Sequence, residues 1–331
     1  MNETCREKLL DSIAALLGTN NEAIVYFTHR DLLGEAVEPI NTVWTLAEPR
    51  RILQKQSSDG SWKGPAKKTP VYPKDHGRLV VTFKELRTLI EKYQFTLEFD
   101  PIEKAAEYLF TFQTPEGDIR GFIGNQHATY YTGYILALLI QAGYVDDPRV
   151  EKGMQWLLEM RQHDGGWTVP ILTHHFDGKT MYRLTSSYAQ PVEPDRSQPF
   201  SHNSTDMVLR AFAAHPVYRH SEEANVAGNL LKSRFFQPDV YSSYRAASYW
   251  TRFVFWWPNL LTAMELLSLL GFTARDPDIH KGLRWFFQNR KEDGFWECSY
   301  DGKHSIQRSS AVTERIWISL RICRMLKQFL G

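Results

Sequence analysis

Cysteine is scarce in this chain. The three residues, Cys5, Cys298 and Cys323, lie far apart and form no CxxC pair, so the sequence holds neither a disulfide framework nor an evident zinc cluster. Excess charge is lacking too. The net charge is +1 over 331 residues, which excludes bulk attraction to nucleic acid or to an anionic membrane. Long apolar runs are missing: the best, Phe253 to Phe272, is interrupted by Pro258, Asn259 and Glu265, too polar for a transmembrane segment. The start, Met1 to Lys8, is polar and mixed in charge, unlike a secretory leader. The expectation is a soluble, cytoplasmic protein, with peripheral membrane contact left open. GxGxxG, P-loop, GxSxG, HExxH and DDxxD patterns are also missing. Asp146-Asp147 is better explained as a helix cap before Pro148. No cofactor and no metal are expected.

What the chain does have is a repeat. Arg161-Gln162-His163-Asp164-Gly165-Gly166-Trp167 returns as Gln56-Ser57-Ser58-Asp59-Gly60-Ser61-Trp62, as Gln113-Thr114-Pro115-Glu116-Gly117-Asp118-Ile119, and as Asn289 to Trp296. Each copy sets an acid before a glycine and a large apolar residue after it. Three copies follow similar helices that open Asp-Pro, at Asp100-Pro101, Asp147-Pro148 and Asp276-Pro277; the proline precedes the motif glycine by 16, 17 and 17 residues. Asp suits the N-cap and proline the first helical position. Glycine allows the left-handed turn that stops the helix. A fixed period of this kind marks stacked helical units. The motifs are fasteners, and their acids are not expected to be catalytic.

Apolar spacing predicts six helix pairs, at about 5–17/21–33, 43–56/81–94, 101–113/127–143, 147–161/200–216, 220–236/250–271 and 276–289/309–329. The first helix of each pair carries mixed charge, whereas the second is apolar nearly all round, as in Tyr134 to Ile140, and must be buried on all faces. Loops within pairs are mostly long and those between pairs short. The expected fold is all-α, a single domain over 1–331 with six inner helices inside six outer ones. Long loops then gather at the inner N-termini, and that end is the expected mouth.

The motifs around Gln56, Gln162 and Gln288 resemble the QW repeats of the terpenoid cyclase and protein prenyltransferase superfamily, the squalene–hopene cyclase-like proteins. The resemblance implies an α6/α6 toroid with an aromatic central cavity for an isoprenoid or similar apolar molecule. Two departures bear on the reaction. The DxDD acid that starts class II cyclisation has its best local match at Ser201-His202-Asn203-Ser204-Thr205-Asp206, where the threonine fits and the acids do not. The prenyltransferase zinc pair has no equivalent: Cys298 follows Asp293 by five residues rather than two, and Asp301 and His304 are only near in sequence.

The mouth candidates are catalytic Asp206, His202, Glu314 and His127, with substrate contacts from Tyr130, Tyr131, Asn203, Tyr249, Trp250, Arg252, Trp256, Trp257 and Arg308. Aromatic faces suit an isoprenoid chain or a cation, and the arginines suit an anion such as diphosphate. Core packing is the alternative for each aromatic residue, and an arginine partner the alternative for Glu314. His174-His175 with Asp177 forms a weak metal pattern. Three functions stay open: a cyclase- or transferase-type enzyme, a non-catalytic lipid- or partner-binding toroid, and a carbohydrate-active enzyme using Asp206 with Glu314 as paired acids.

Overall fold

In the computed structural model the described residues are 3–64, 73–241, 244–253, 257–300 and 309–331. Their regular structure is helical throughout. In chain order the helices are α1 (Glu3–Leu17), α2 (Glu22–Phe27), a π-helix (Thr28–Leu33), α3 (Asn41–Trp44), α4 (Ala47–Leu53), α5 (His76–Tyr93), α6 (Asp100–Phe110) and α7 (Thr129–Ala142). There follow α8 (Pro148–Glu159), α9 (Gly178–Leu184), α10 (His202–Ala214), α11 (Glu222–Ser233), α12 (Leu260–Leu269), α13 (Pro277–Asn289) and α14 (Ser309–Leu330). The all-α expectation holds. Packing divides the chain into two compact units, Met1–Val43 with Leu231–Gly331 (the terminal unit) and Trp44–Leu230 (the central unit).

The central unit shows how a motif works. Trp167 is fully buried; its indole N–H donates to Leu157 O (2.6 Å), ten residues back, at the end of α8. Its main-chain N–H donates to Thr205 Oγ1 on α10 (2.9 Å). Trp62 repeats both bonds, to Ile52 O (2.7 Å) and Thr82 Oγ1 (3.0 Å). Ile119, which lacks the indole, keeps the main-chain bond to Thr132 Oγ1 (3.0 Å). Each motif therefore ties the helix before it to the helix after it. The glutamine carries the tie onward: Gln113 Nε2 donates to Gly117 O (2.9 Å) and to Arg149 O at the start of α8 (2.8 Å). Gly60 has φ +84°, and a Cβ there would lie 2.1 Å from Lys104 O on α6. No side chain fits so close to a neighbouring backbone.

The terminal unit uses the same device. Trp296 donates through its indole to Phe286 O (2.7 Å) and through its main chain to Ser319 Oγ (3.1 Å) on α14. Gly294 packs against Ala15 of α1, and Arg290 Nε donates to Ser12 Oγ (2.8 Å). The last repeat is thus fastened to the first helix.

Capping departs from the expectation at one copy. Asp147 and Asp276 accept main-chain bonds from Arg149 (2.8 Å) and Asp278 (2.9 Å) as N-caps. Asp100 instead lies inside α6, which Phe99 precedes, and pairs with Lys104 at 2.6 Å. The fifth inner helix also starts later than its predicted residue 250. Pro258 disfavours helical backbone at the residue before it. Asn259 then caps α12 with a reciprocal box, accepting from Leu261 and Thr262 while its own N–H donates to Thr262 Oγ1 (3.0 Å).

Thr205 and Trp167 are both fully buried. Thr205→Val leaves the Trp167 N–H without its acceptor and should cost about 1–3 kcal/mol, read as a lowered urea midpoint. Thr205→Ser keeps the oxygen and should recover most of that loss.

Candidate functional site

The central unit brings α7 and α10 side by side. Gly133 makes this possible: a Cβ there would sit 2.6 Å from Val208 Cα. Residues His202 to Leu209 are all buried, so any polar group among them needs a partner inside the protein. Asp206, fully buried, accepts two bonds from Arg210 one turn on, at 3.0 Å (Nε) and 2.7 Å (Nη2). The Arg210 guanidinium carbon lies 4.3 Å from the Tyr134 ring centre. Tyr134 donates to Glu91 Oε1 on α5 (2.5 Å). Burial, then the Glu91 charge, pushes the Tyr134 hydroxyl up to about 12. Burial opposes the Arg210 charge, but Asp206 and Tyr134 more than offset it, and its pKa is raised. Asp206 is therefore the carboxylate of an ion pair. The sequence pointed to Asp206 but not to Arg210 or Glu91, whose roles depend on Tyr134 packing between them.

A second polar cluster lies just before α7. Asp118 is fully buried and His127 is 4% exposed. His127 Nδ1 lies 3.0 Å from Asp118 Oδ2. Asp118 also accepts from Arg120 Nε (2.9 Å) and from the Thr114 hydroxyl. Burial alone would raise the Asp118 pKa; the donors His127, Arg120 and Thr114 outweigh it and hold the carboxyl below its ordinary 3.8. An ionised carboxylate only accepts, so the proton of the His127–Asp118 bond sits on Nδ1. The other ring nitrogen faces Glu193 Oε1 at 3.4 Å. Glu193 arrives on the long α8–α10 connection, which is stitched down beside His127. Gln126 Nε2 donates to Leu184 O (2.8 Å) and Gln190 O (2.9 Å), and Gln126 Oε1 accepts from Val192 (2.8 Å).

Aromatic rings fill the same end of α7. Tyr131 stacks on Phe122 at 3.9 Å, and Tyr130 lies 4.5 Å from Tyr131. Both tyrosines are half-buried. Phe83 of α5 meets Tyr131 (5.6 Å) and Tyr134 (5.3 Å) edge to face. His202 and Asn203 are buried in the first turn of α10, where Ser201 is the cap.

In the terminal unit the candidates fall into different roles. Tyr249 and Trp250 lie in a 3₁₀ turn, and Arg252 and Trp257 precede α12 rather than belonging to it. Trp250 donates its indole N–H to Gln237 O (2.9 Å) and packs on Phe235. It is buried and tied to Phe236-Gln237-Pro238-Asp239, a degraded copy of the motif. Arg252 lies over Tyr249 (4.4 Å), and Tyr244 touches both Tyr249 (5.2 Å) and Trp257 (4.9 Å). Glu314 is half-buried on α14. Its neighbour Arg315 pairs with Asp293 of the last motif (2.7 and 3.0 Å). Trp256 and Arg308 lie outside the described residues, as do Asp301 and His304. Asp206 belongs to the central unit and Glu314 to the terminal one. No group of three metal-ligating side chains occurs among the described residues. His174 is instead a loop tie, bonded to Glu193 O at 2.8 Å.

No family model matches the chain. A 124-residue stretch is 29% identical to a probable squalene–hopene cyclase of Sinorhizobium fredii. The chain resembles the terpenoid cyclase-like superfamily. The match spans 35% of this chain and 19% of that cyclase. Among solved structures, a protein from Actinoplanes aligns over 98% of this chain and 90% of its own, at 14% identity and TM-score 0.46. A type II terpene cyclase from Scytonema, in complex with merosterolic acid A, aligns over 99% of both chains at 12% identity and TM-score 0.37. A polysaccharide lyase aligns over 98% of both at 13% identity and TM-score 0.45. At such scores these alignments carry no argument about the reaction. No helix among the described residues of this terpenoid cyclase-like chain is long and apolar enough to cross a membrane.

Two outcomes follow from the buried charges. Asp206→Ala strands the Arg210 guanidinium in the interior and should cost about 3–5 kcal/mol in denaturant unfolding. Asp118 has a depressed pKa in the fold, so its stabilisation is present above pH 3.8 and is lost as pH falls through its lower folded value. Asp118→Asn should therefore unfold earlier than native protein in urea at pH 7, and the gap should narrow steadily below pH 3.8.

Proposed function

We propose that the chain binds an isoprenoid or similar apolar molecule against the aromatic residues at the inner helix ends, and that it works as a cyclase- or transferase-type enzyme without a DxDD acid. The observation that carries this is the repeated fastener, whose residues match the QW pattern and whose main-chain bonds tie each motif to the helix that follows it. The 124-residue likeness to a probable squalene–hopene cyclase supports the same reading. Phe83, Phe122, Tyr130 and Tyr131 offer ring faces to an extended hydrocarbon or to a developing cation. Tyr249, Arg252 and Trp257 supply a second aromatic and cationic group. Arg308 and Trp256 are kept as candidate contacts, and His202, Asn203 and Glu314 as candidate polar ones. His127 is the group best arranged to take a proton.

A non-catalytic lipid-binding role is the second reading. It is favoured by one feature: Asp206, the acid nearest the expected DxDD position, is held as a carboxylate by Arg210 and is a poor proton donor. The two readings separate when purified protein is incubated with geranylgeranyl diphosphate and, in parallel, with squalene. Native mass spectrometry reports binding and gas chromatography of the extract reports product. Retention with a new hydrocarbon product supports the enzyme, and retention without product supports the binding protein. If neither molecule is retained, the isoprenoid reading fails.

A further inference from the structure

Comparison among the motif copies isolates one residue pair that fastening does not need. The position between the motif glycine and the aromatic residue is Ser61 in the first copy, Gly166 in the third and Phe295 in the last. Only the second copy puts an acid there, Asp118, and it is fully buried. The main-chain tie at that copy is complete without the acid, through Ile119 N–H and Thr132. Burying a carboxylate costs several kcal/mol unless donors surround it, and here Thr114, Arg120 and His127 have been brought to it. The second copy is also the one whose Trp is replaced by Ile119. The His127 ring, nine residues past Asp118, sits 5.6 Å from the ring of Trp156 on α8.

We infer that Asp118 and His127 form a carboxylate–imidazole dyad in which Asp118 is a positioning residue, His127 Nε2 is a general base, and Glu193 is its removable cover. Asp118 fixes the proton on Nδ1. An ionised carboxylate only accepts, so a contact from Nε2 to the Glu193 carboxylate needs a proton on Nε2, and the Nε2 lone pair is free to act only when Glu193 has turned away. Glu193, whose side chain is 76% exposed, stands on the Nε2 side at 3.4 Å. Being exposed, it can turn into solvent without disturbing the interior. In the reaction step, a substrate C–H or O–H bond breaks, its proton forms the Nε2–H bond, and the bonding pair stays on the substrate. The resulting imidazolium is stabilised by the Asp118 carboxylate, the same division of labour that makes an acid-supported histidine an effective base. The class of substrate is one that loses a proton, such as a carbocation next to a C–H bond. That part rests on the isoprenoid reading above; the dyad itself does not.

The test is the tautomer of His127. Protein labelled with ¹⁵N-histidine is examined by long-range proton–nitrogen correlation at alkaline pH, with the His127 signals assigned as those lost in His127→Gln. Native protein should show a protonated Nδ1 and a bare Nε2. Asp118→Asn, whose amide can donate to Nδ1, should shift the ring toward the Nε2–H form. A bare Nδ1 in native protein overturns the dyad outright, with no variant needed. An unchanged tautomer in a folded Asp118→Asn overturns the positioning role. The cover is read separately on the surface variant Glu193→Ala, where carbethoxylation of His127 should run several-fold faster than in native protein. An equal rate removes Glu193 from the proposal. None of these readouts uses an isoprenoid, so loss of the binding result and loss of the dyad are distinguishable.

Discussion

The structure depends on a main-chain hydrogen bond made four times. At Trp62, Ile119, Trp167 and Trp296 the amide N–H is met by a hydroxyl from the following inner helix, at Thr82, Thr132, Thr205 and Ser319. A buried N–H cannot be left unpaired without a cost near 1–3 kcal/mol, and a helix interior offers no spare carbonyl to meet it. A short hydroxyl side chain is what reaches out of the helix. This explains the threonine or serine that each of α5, α7, α10 and α14 presents to a motif. It also explains why the motif glycine is invariant among the four copies: its positive φ turns the chain just before the N–H must point inward.

With the fasteners carrying the packing, the remaining polar groups of the interior stand out. Two clusters of different character lie in the central unit. Asp206, Arg210, Tyr134 and Glu91 link three helices by charge and ring contact, with each group answering another. Such a network holds helices in register. Asp118 and His127 differ. The carboxylate is saturated by donors on the inside, while the histidine keeps one nitrogen toward an exposed side chain on a loop. The long α8–α10 connection is not slack there, since the buried Gln126 binds it at three backbone points.

The terminal unit reuses the same parts with one shift in register. Its degraded motif at Phe236-Gln237 finds an indole thirteen residues past Gln237, at Trp250, rather than in the next few positions. Between them the chain makes a 3₁₀ turn instead of starting a helix. The consequence is that Tyr249, Arg252 and Trp257 are carried on irregular backbone ahead of α12. They contact one another and Tyr244, Arg252 bridges to Ser299, and Trp257 O accepts from Asn259.

The helices and their order were legible because they rest on local rules: apolar spacing, Asp-Pro openings and glycine stops act within a few residues. The fastening role of the motif acids was legible from repetition alone. Asp118 was in plain view as the odd member of its motif. Nothing local marked it as buried, because burial depends on which helix covers it. His127 was nominated and Asp206 too, yet their partners were not, since Arg210 gains its meaning from Tyr134 on another helix and Glu193 reaches His127 from 66 residues away. The late start of α12 needed Pro258 and the Asn259 cap to outweigh an apolar run that favoured helix. Periodicity and caps belong to the chain itself; protonation, pairing and exposure belong to the packed structure, because a charge acquires its energy from what surrounds it in space.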